Sequence, residues 1–245
     1  MVLKIAAFGC SVTFGDEFID SSHNDIIVPS NHIWVNHLLN DAEIFNYAIS
    51  GAGCDQIMKR ILAVDLTEIN LVVVMWTYME RLTLYKDNFP INFSPNQFVC
   101  YDQDININKL LLNKFKDKSK LKNLQNVYET IFCEQKMLYN DYFKNILLAQ
   151  QYLELHNKKF YFTTVFNYFH EYELIRKKIN SIKNDTDIFY SNINRSKFFL
   201  PEDLGFKQWT NKYNYDKFER GHYKEQAHIE FSSLFKSWID NNNDN

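Results

Sequence analysis

Six consecutive apolar residues, Leu71–Trp76 (LVVVMW), constrain most what this chain can fold into. A strand with no polar residue on either face must be covered on both, as in the centre of a parallel sheet flanked by helices. Val2–Phe8 is a second near-continuous apolar run, and it ends at Gly9. Between the two runs, Ile33, Trp34, Leu38 and Leu39 recur at helical spacing, and Glu43–Ala48 reads as a short strand. Ile57, Ile61, Leu62 and Leu66 mark another helix. The chain up to Trp76 therefore predicts strand–helix–strand–helix–strand, an α/β unit with a parallel sheet and right-handed crossovers.

From Tyr85 to Leu121 the periodicity is lost: Pro90 and Pro95 interrupt it, and the segment around Asp104 is polar. This is longer than an ordinary connection and predicts an insertion at one edge of the site. Leu124–His156 then reads as one long helix and Lys159–Phe166 as a strand. Asn167–Lys217 is polar and irregular, punctuated by Pro201 and Gly205. Ala227, Phe231, Leu234, Phe235, Trp238 and Ile239 define a C-terminal amphipathic helix. The expectation is a single domain over residues 1–240, with a helical insertion at about residues 85–157 and a frayed tail at 241–245.

Composition narrows the function classes. Hydrophobic residues make up 46% and charged residues 23% of the 245, which excludes a disordered or charge-dominated chain. A net charge of -3 and a pI of about 6.2 give no general field for nucleic acid or an anionic membrane surface. The basic run Lys114–Lys122 reads as a solvated face. No stretch approaches the roughly 18 consecutive apolar residues of a membrane span. The opening MVLKIAAFGC has Phe8 where a lipoprotein cleavage site needs a small residue, so it reads as a buried strand. Cys10, Cys54, Cys100 and Cys133 lack C-x-x-C pairing and zinc-ligand spacing. They predict reduced thiols without metal in a cytoplasmic protein, and packaging in a larger particle is compatible with the same pattern.

In open parallel sheets, ligands bind beyond the carboxyl ends of the strands. Four segments qualify here: Gly9–Asp16, Asn46–Gly53, Trp76–Arg81 and, ahead of the last helix, Glu219–His222. Of only six glycines, Gly9, Gly15, Gly51, Gly53 and Gly221 fall beside these segments, leaving Gly205 outside. Ser11 is a candidate nucleophile, since a serine just past a strand and close to a glycine can present its hydroxyl to a substrate. It needs a base, commonly a His held by a carboxylate. His222 and Glu219 are three residues apart, near enough to hydrogen-bond. Asp216 is a second acidic candidate. Asp16 and Glu17 read as capping or supporting residues beneath the nucleophile, and His228 as a helix-packing histidine. Cys10 and Ser11 are adjacent at a strand end and face opposite sides, so only one can meet the base; Ser11 is expected.

Taken in order, FGCSVTFGD, NYAISGAG and ERGHYKEQAH resemble the blocks of the SGNH/GDSL hydrolases, in a divergent branch of that family. The resemblance implies a flavodoxin-like three-layer α/β/α fold and serine-dependent hydrolysis of acetyl or other acyl esters without a cofactor. The substrate it implies is an acylated small molecule or a glycan, with carbohydrate favoured. Carried over by position, Ser11 is nucleophile, His222 general base and Glu219 its orienting acid. The backbone N–H groups of Ser11 and Gly51 are oxyanion donors. The same acyl-enzyme would serve an acyltransferase.

Three positions depart from the family. Glu219 stands where Asp is usual, Tyr223 stands where Pro commonly follows the His, and Trp76–Arg81 lacks the G-x-N-D block whose Asn is the third oxyanion donor. Thr77 is the candidate replacement donor there, and Arg81 reads either as a surface ion pair with Glu80 or Asp87 or as an anchor for an anionic or sugar group. Losing one such donor costs on the order of 100- to 1,000-fold in rate. A non-catalytic binding or structural descendant of the fold is therefore the alternative. Trp209, Tyr213 and Tyr215 suit either a sugar-stacking platform or loop packing.

Overall fold

The structure, a computed structural model, describes residues 2–18, 20, 22–23, 26–39, 41–86, 89–94, 97–99, 126, 135–179, 185–219 and 221–242. Its centre is a parallel sheet of β1 (Leu3–Phe8), β4 (Ala42–Asn46), β5 (Leu71–Trp76) and β9 (Lys159–Thr164). The strand order is β4-β1-β5-β9. The chain moves from β1 to one side, then crosses back to build outward from the other side. The topological switch, where ligands gather in such sheets, thus falls at β1. β5 is buried along its whole length, as its composition requires.

Side chains that alternate across the strands meet two different helical layers. On one face, Tyr161 of β9 packs edge-on to Trp238 of α7 (Glu225–Asn242), at 5.2 Å between ring centroids. The same face holds Trp34, Phe199, Phe231 and Phe235. On the other face, Phe162 meets Trp76 and Phe198, and Phe198 leads through Phe169 to Phe143 of α3 (Gln135–Leu155). α2 (Cys54–Ala63) packs against α3 and buries Ile57, Met58 and Ile61. Between β1 and β4 lie α1 (Ser11–Phe14) and the two-residue strands β2 (Ser22–His23) and β3 (Ile26–Ile27).

The described elements differ from expectation in three places. The helix expected at Ile33–Leu39 is a four-residue 3₁₀ turn, Trp34–His37, with Trp34 and Val35 buried against α7. The stretch after Tyr85 holds an antiparallel sheet of β6 (Leu82–Lys86), β7 (Phe89–Ser94) and β8 (Gln97–Val99). Pro90 sits opposite Tyr85 in that sheet. The segment expected to be irregular after Asn167 is largely helical: α4 (Tyr168–Ile179), α5 (Asp185–Asn192) and α6 (Phe206–Lys212). Tyr168, Phe169 and Tyr172 supply the buried i, i+1, i+4 face of α4. The expected start of the long helix at Leu124, the basic run Lys114–Lys122, Cys100 and Cys133 lie outside the described residues. Among the described residues, no helix is long and apolar enough to cross a membrane.

Gly205, the glycine remote from the predicted site, has a packing role. A Cβ there would lie 2.7 Å from both the Val165 carbonyl oxygen and the Phe166 Cα. Only a bare α-carbon lets the start of α6 pass the end of β9 this closely, and Lys207 N–H donates to the Val165 oxygen at 2.9 Å. Gly205→Ala is therefore expected to lower unfolding free energy by about 1–3 kcal/mol, the usual cost of forcing atoms into a packed site. Urea denaturation of the two proteins measures it, and an unchanged midpoint contradicts the close approach.

Candidate active site

The candidate nucleophile segment leaves β1 under tight steric control. A Cβ on Gly9 would lie 2.4 Å from Thr13 Oγ1 and 3.2 Å from the Met75 carbonyl oxygen. The chain therefore passes flush against β5 before turning into α1, which opens with Ser11. Ser11 is 4% exposed. Gly15 closes that turn at φ +87°, donating its N–H to the Ser11 carbonyl. The segment from β4 runs alongside. Asn46 Nδ2 donates to the Thr13 carbonyl at 2.7 Å, and Ile49 N–H donates to the Gly9 carbonyl at 3.1 Å. The Ser50–Gly51 turn, with Gly51 at φ +72°, is thereby held beside the start of α1. Ser50 Oγ donates to Asp16, which ties the turn to the nucleophile segment a second time.

His222 arrives from the other end of the chain in a tight hairpin. Phe218 N–H donates to the His222 carbonyl at 2.8 Å, Gly221 N–H donates to Phe218 at 3.0 Å, and Lys217 bridges Tyr223. Gly221 has φ +94°, which only glycine adopts freely. What docks this hairpin on the nucleophile segment is Glu17. Its Oε2 accepts the His222 backbone N–H at 3.0 Å and lies 2.7 Å from Nδ1 of the ring. A carboxylate on Nδ1 favours the tautomer protonated there and leaves the Nε2 lone pair available as a base. Phe18 adds an edge-on contact to Phe218 at 5.2 Å.

The expected acid, Glu219, does not occupy that place. It lies exposed in the hairpin turn, and the Nδ1 position is held by Glu17. Asp216 is also elsewhere, exposed and 3.5 Å from Lys224 Nζ. Glu17 carries φ +74°, unusual for a side-chain-bearing residue, and this left-handed backbone lets the chain turn while its carboxylate reaches back to His222. Nothing in the spacing of the sequence pointed to it, because the contact spans 205 positions.

At the end of β5, Thr77 is fully buried, and its Oγ1 accepts from Arg81 Nη1 at 3.2 Å. Among the described residues, no acceptor takes its own hydroxyl hydrogen. Arg81 is half-buried and lies over the Tyr78 ring at 5.3 Å. Cys54 is buried beside the Thr77 carbonyl, and burial raises its thiol pKa well above the ordinary value, so it is not poised as a nucleophile. His228 is buried in α7, where its Nδ1 accepts from Trp34 N–H and burial lowers its pKa to about 3. It is a neutral packing group. Trp209 is buried against Phe231, so it offers no face for stacking on a sugar. Among the described residues, no group of three or more His, Cys, Asp or Glu side chains is arranged to ligate a metal ion.

No family model and no curated protein sequence matches the chain. Solved structures do. The psychrotrophic esterase EstA from Pseudoalteromonas sp., in a structure inhibited by monoethylphosphonate, aligns over 99% of this chain and 99% of its own at 11% identity, with a TM-score of 0.51. TesA aligns over 97% and 98% at 12% identity, with a TM-score of 0.50. The chain shares the fold of these two proteins. It is the flavodoxin-like α/β/α arrangement, and in it the C-terminal ends of β1, β4 and β5 converge on the segments described above.

In this fold the carboxyl group of Asp16 sits among charges. Burial, the largest influence, raises its pKa above the usual carboxylate range; the hydrogen bond from Ser50 and the charges of His222 and Arg81 act the other way. A raised folded-state pKa means the native protein holds this proton more tightly than the unfolded chain. Stability is therefore lost as pH rises from the ordinary carboxylate pKa through the folded one. Asp16→Asn removes that loss. The variant is expected to gain stability relative to the wild type as pH is raised from about 4 to about 7, read from urea midpoints. A constant difference across that range contradicts the placement.

Proposed function

We propose that this protein is a serine ester hydrolase acting on acetyl or other short acyl esters, with Ser11, His222 and Glu17 as its triad. Ser11 attacks the acyl carbonyl, His222 Nε2 takes the hydroxyl proton and returns it to the leaving alcohol, and Glu17 fixes the imidazole. Water then repeats the sequence on the acyl-enzyme. The backbone N–H groups of Ser11 and Gly51 would receive the oxyanion, with Thr77 as third donor in place of the missing Asn.

The observation that most supports this reading is the double grip of Glu17 on His222. A carboxylate six residues beyond Ser11 holds both the backbone and the ring of a histidine from the opposite end of the chain. Packing alone does not require a charged group at that point. The substrate reading is a small acylated molecule, with a carbohydrate as the alcohol favoured by the resemblance. Transfer to an acceptor alcohol uses the same acyl-enzyme. Thr77 standing in place of Asn favours a second reading, a binding protein that kept the fold without turnover.

The wild type is expected to hydrolyse p-nitrophenyl acetate and to be labelled by a fluorophosphonate, and Ser11→Ala to lose both. His222→Ala and Glu17→Gln should each lower kcat by about 100- to 10,000-fold, the range that general acid–base catalysis contributes. Glu219→Gln should stay within about threefold of wild type, as expected of an exposed residue in the hairpin turn. A wild type that neither turns over nor labels supports the binding reading. Loss of activity in Glu219→Gln with retention in Glu17→Gln restores Glu219 as the orienting acid.

A further inference from the structure

A cavity of about 150 Å³ opens between the start of α2, the loop after β5 and one face of α3. Its apolar lining comes from Met79, Met137, Leu138 and the ring of Tyr142, with Cys54 and Arg81 on the side nearest β5. An engineered cavity of about this volume in another protein takes benzene, so the space suits a group of roughly six heavy atoms. It adjoins the candidate active site through two residues. Cys54 begins α2 three residues past Gly51 and touches the Thr77 carbonyl with its sulfur. Arg81 donates to the Thr77 hydroxyl.

The charges around the cavity are unevenly satisfied. Lys144 is paired with Asp141 at 2.5 Å, and Asp55 has Lys59 at 3.8 Å. Glu80, the nearest acidic residue in sequence to Arg81, instead accepts from the Tyr168 hydroxyl at 2.9 Å. Arg81 has Thr77 and the Tyr78 ring as partners and, among the described residues, no carboxylate within ion-pair distance. A half-buried guanidinium with no carboxylate within ion-pair distance among the described residues, lining a small cavity with an apolar wall, presents a planar fork of donors suited to a carboxylate ligand. Its charge is also felt by Asp16, which places it toward the Ser50–Gly51 turn rather than away from it.

We propose that the substrates of this site are esters carrying a carboxylate, the carboxylate binding Arg81 and the adjoining carbon chain filling the cavity. This rests on the ester-hydrolase reading above. The carboxylate can belong to the acyl group or to the alcohol, and two substrate pairs distinguish them. On the acyl side, mono-p-nitrophenyl adipate is compared with p-nitrophenyl hexanoate; on the alcohol side, 4-acetoxybenzoate is compared with 4-acetoxybenzamide.

In at least one pair, wild-type kcat/KM after subtraction of spontaneous hydrolysis is expected to favour the carboxylate by tenfold or more. Arg81→Gln should bring that ratio down at least tenfold, and Arg81→Lys, which keeps the charge but not the fork, should retain part of it. The ratio is the readout because Arg81 also touches Thr77, so its loss affects both members of a pair. Wild-type preference for the neutral member in both pairs overturns the proposal. A carboxylate preference that survives in Arg81→Gln overturns the role of Arg81. Absence of turnover on all four esters, together with absence of fluorophosphonate labelling at Ser11, removes the hydrolase reading itself and this inference with it.

Discussion

Everything in the site descends from one constraint, the burial of β1 and β5 on both faces. Ile5, Ala6, Ala7 and Phe8 have no exposed surface, nor have Val72 through Trp76. Strands so enclosed must satisfy their backbone groups within the sheet, since no water reaches them. The ladder β4-β1-β5-β9 does this and fixes which strand ends lie side by side. Gly9 then determines how the chain leaves: a side chain there would collide with Thr13 and with the β5 backbone. Ser11, the Ser50–Gly51 turn and Thr77 are neighbours because three parallel strands end together.

The sheet was legible in the sequence for the same reason that it holds together. Val2–Phe8 and Leu71–Trp76 are apolar on both faces, a pattern few other environments accept, and Lys159–Phe166 is recognisable by its aromatic and β-branched content. The helices α4 and α5 were not legible. The buried residues of α4 are Tyr168, Phe169 and Tyr172 set among charges, those of α5 are the polar Thr186 and Asp187, and Pro201 and Gly205 downstream gave the whole stretch the composition of a loop. The antiparallel strands β6–β8 were hidden by Pro90, which reads as a strand breaker although it occupies a register position in β7. Gly205 was set aside because it lay far from the other glycines, yet it is fixed by close backbone approach as firmly as Gly9.

The candidate site divides along the same line. Ser11, Gly51 and Thr77 follow strand ends that the sheet sets side by side, and His222 lies in the hairpin ahead of α7. Glu219 was expected on the His222 ring because local spacing selects a partner within one turn, whereas the hairpin turns it out to solvent and Glu17 meets Nδ1. Glu17 could be found only once the two chain ends were brought together. Residues adjacent to a nucleophile are usually read as supports, and a left-handed Glu has no sequence pattern.

This arrangement has a mechanical consequence. With Asp three residues before the His, the orienting acid and the base would share one loop and move as a unit. With Glu17, the carboxylate on His222 belongs to the segment that follows β1, pinned by Gly15, by Phe18 and, through Asp16, by Ser50. In the proposed triad, His222 is then referenced directly to the element that carries Ser11. Its backbone N–H is held by the same oxygen as its ring, so displacement of the hairpin breaks both bonds at once. A left-handed residue costs on the order of 1 kcal/mol or more of backbone strain, and it persists only where its surroundings over-determine it. Here the two bonds to His222 and the neighbouring aromatic packing provide that determination. The strain at Glu17 and the alignment of His222 are two aspects of one contact.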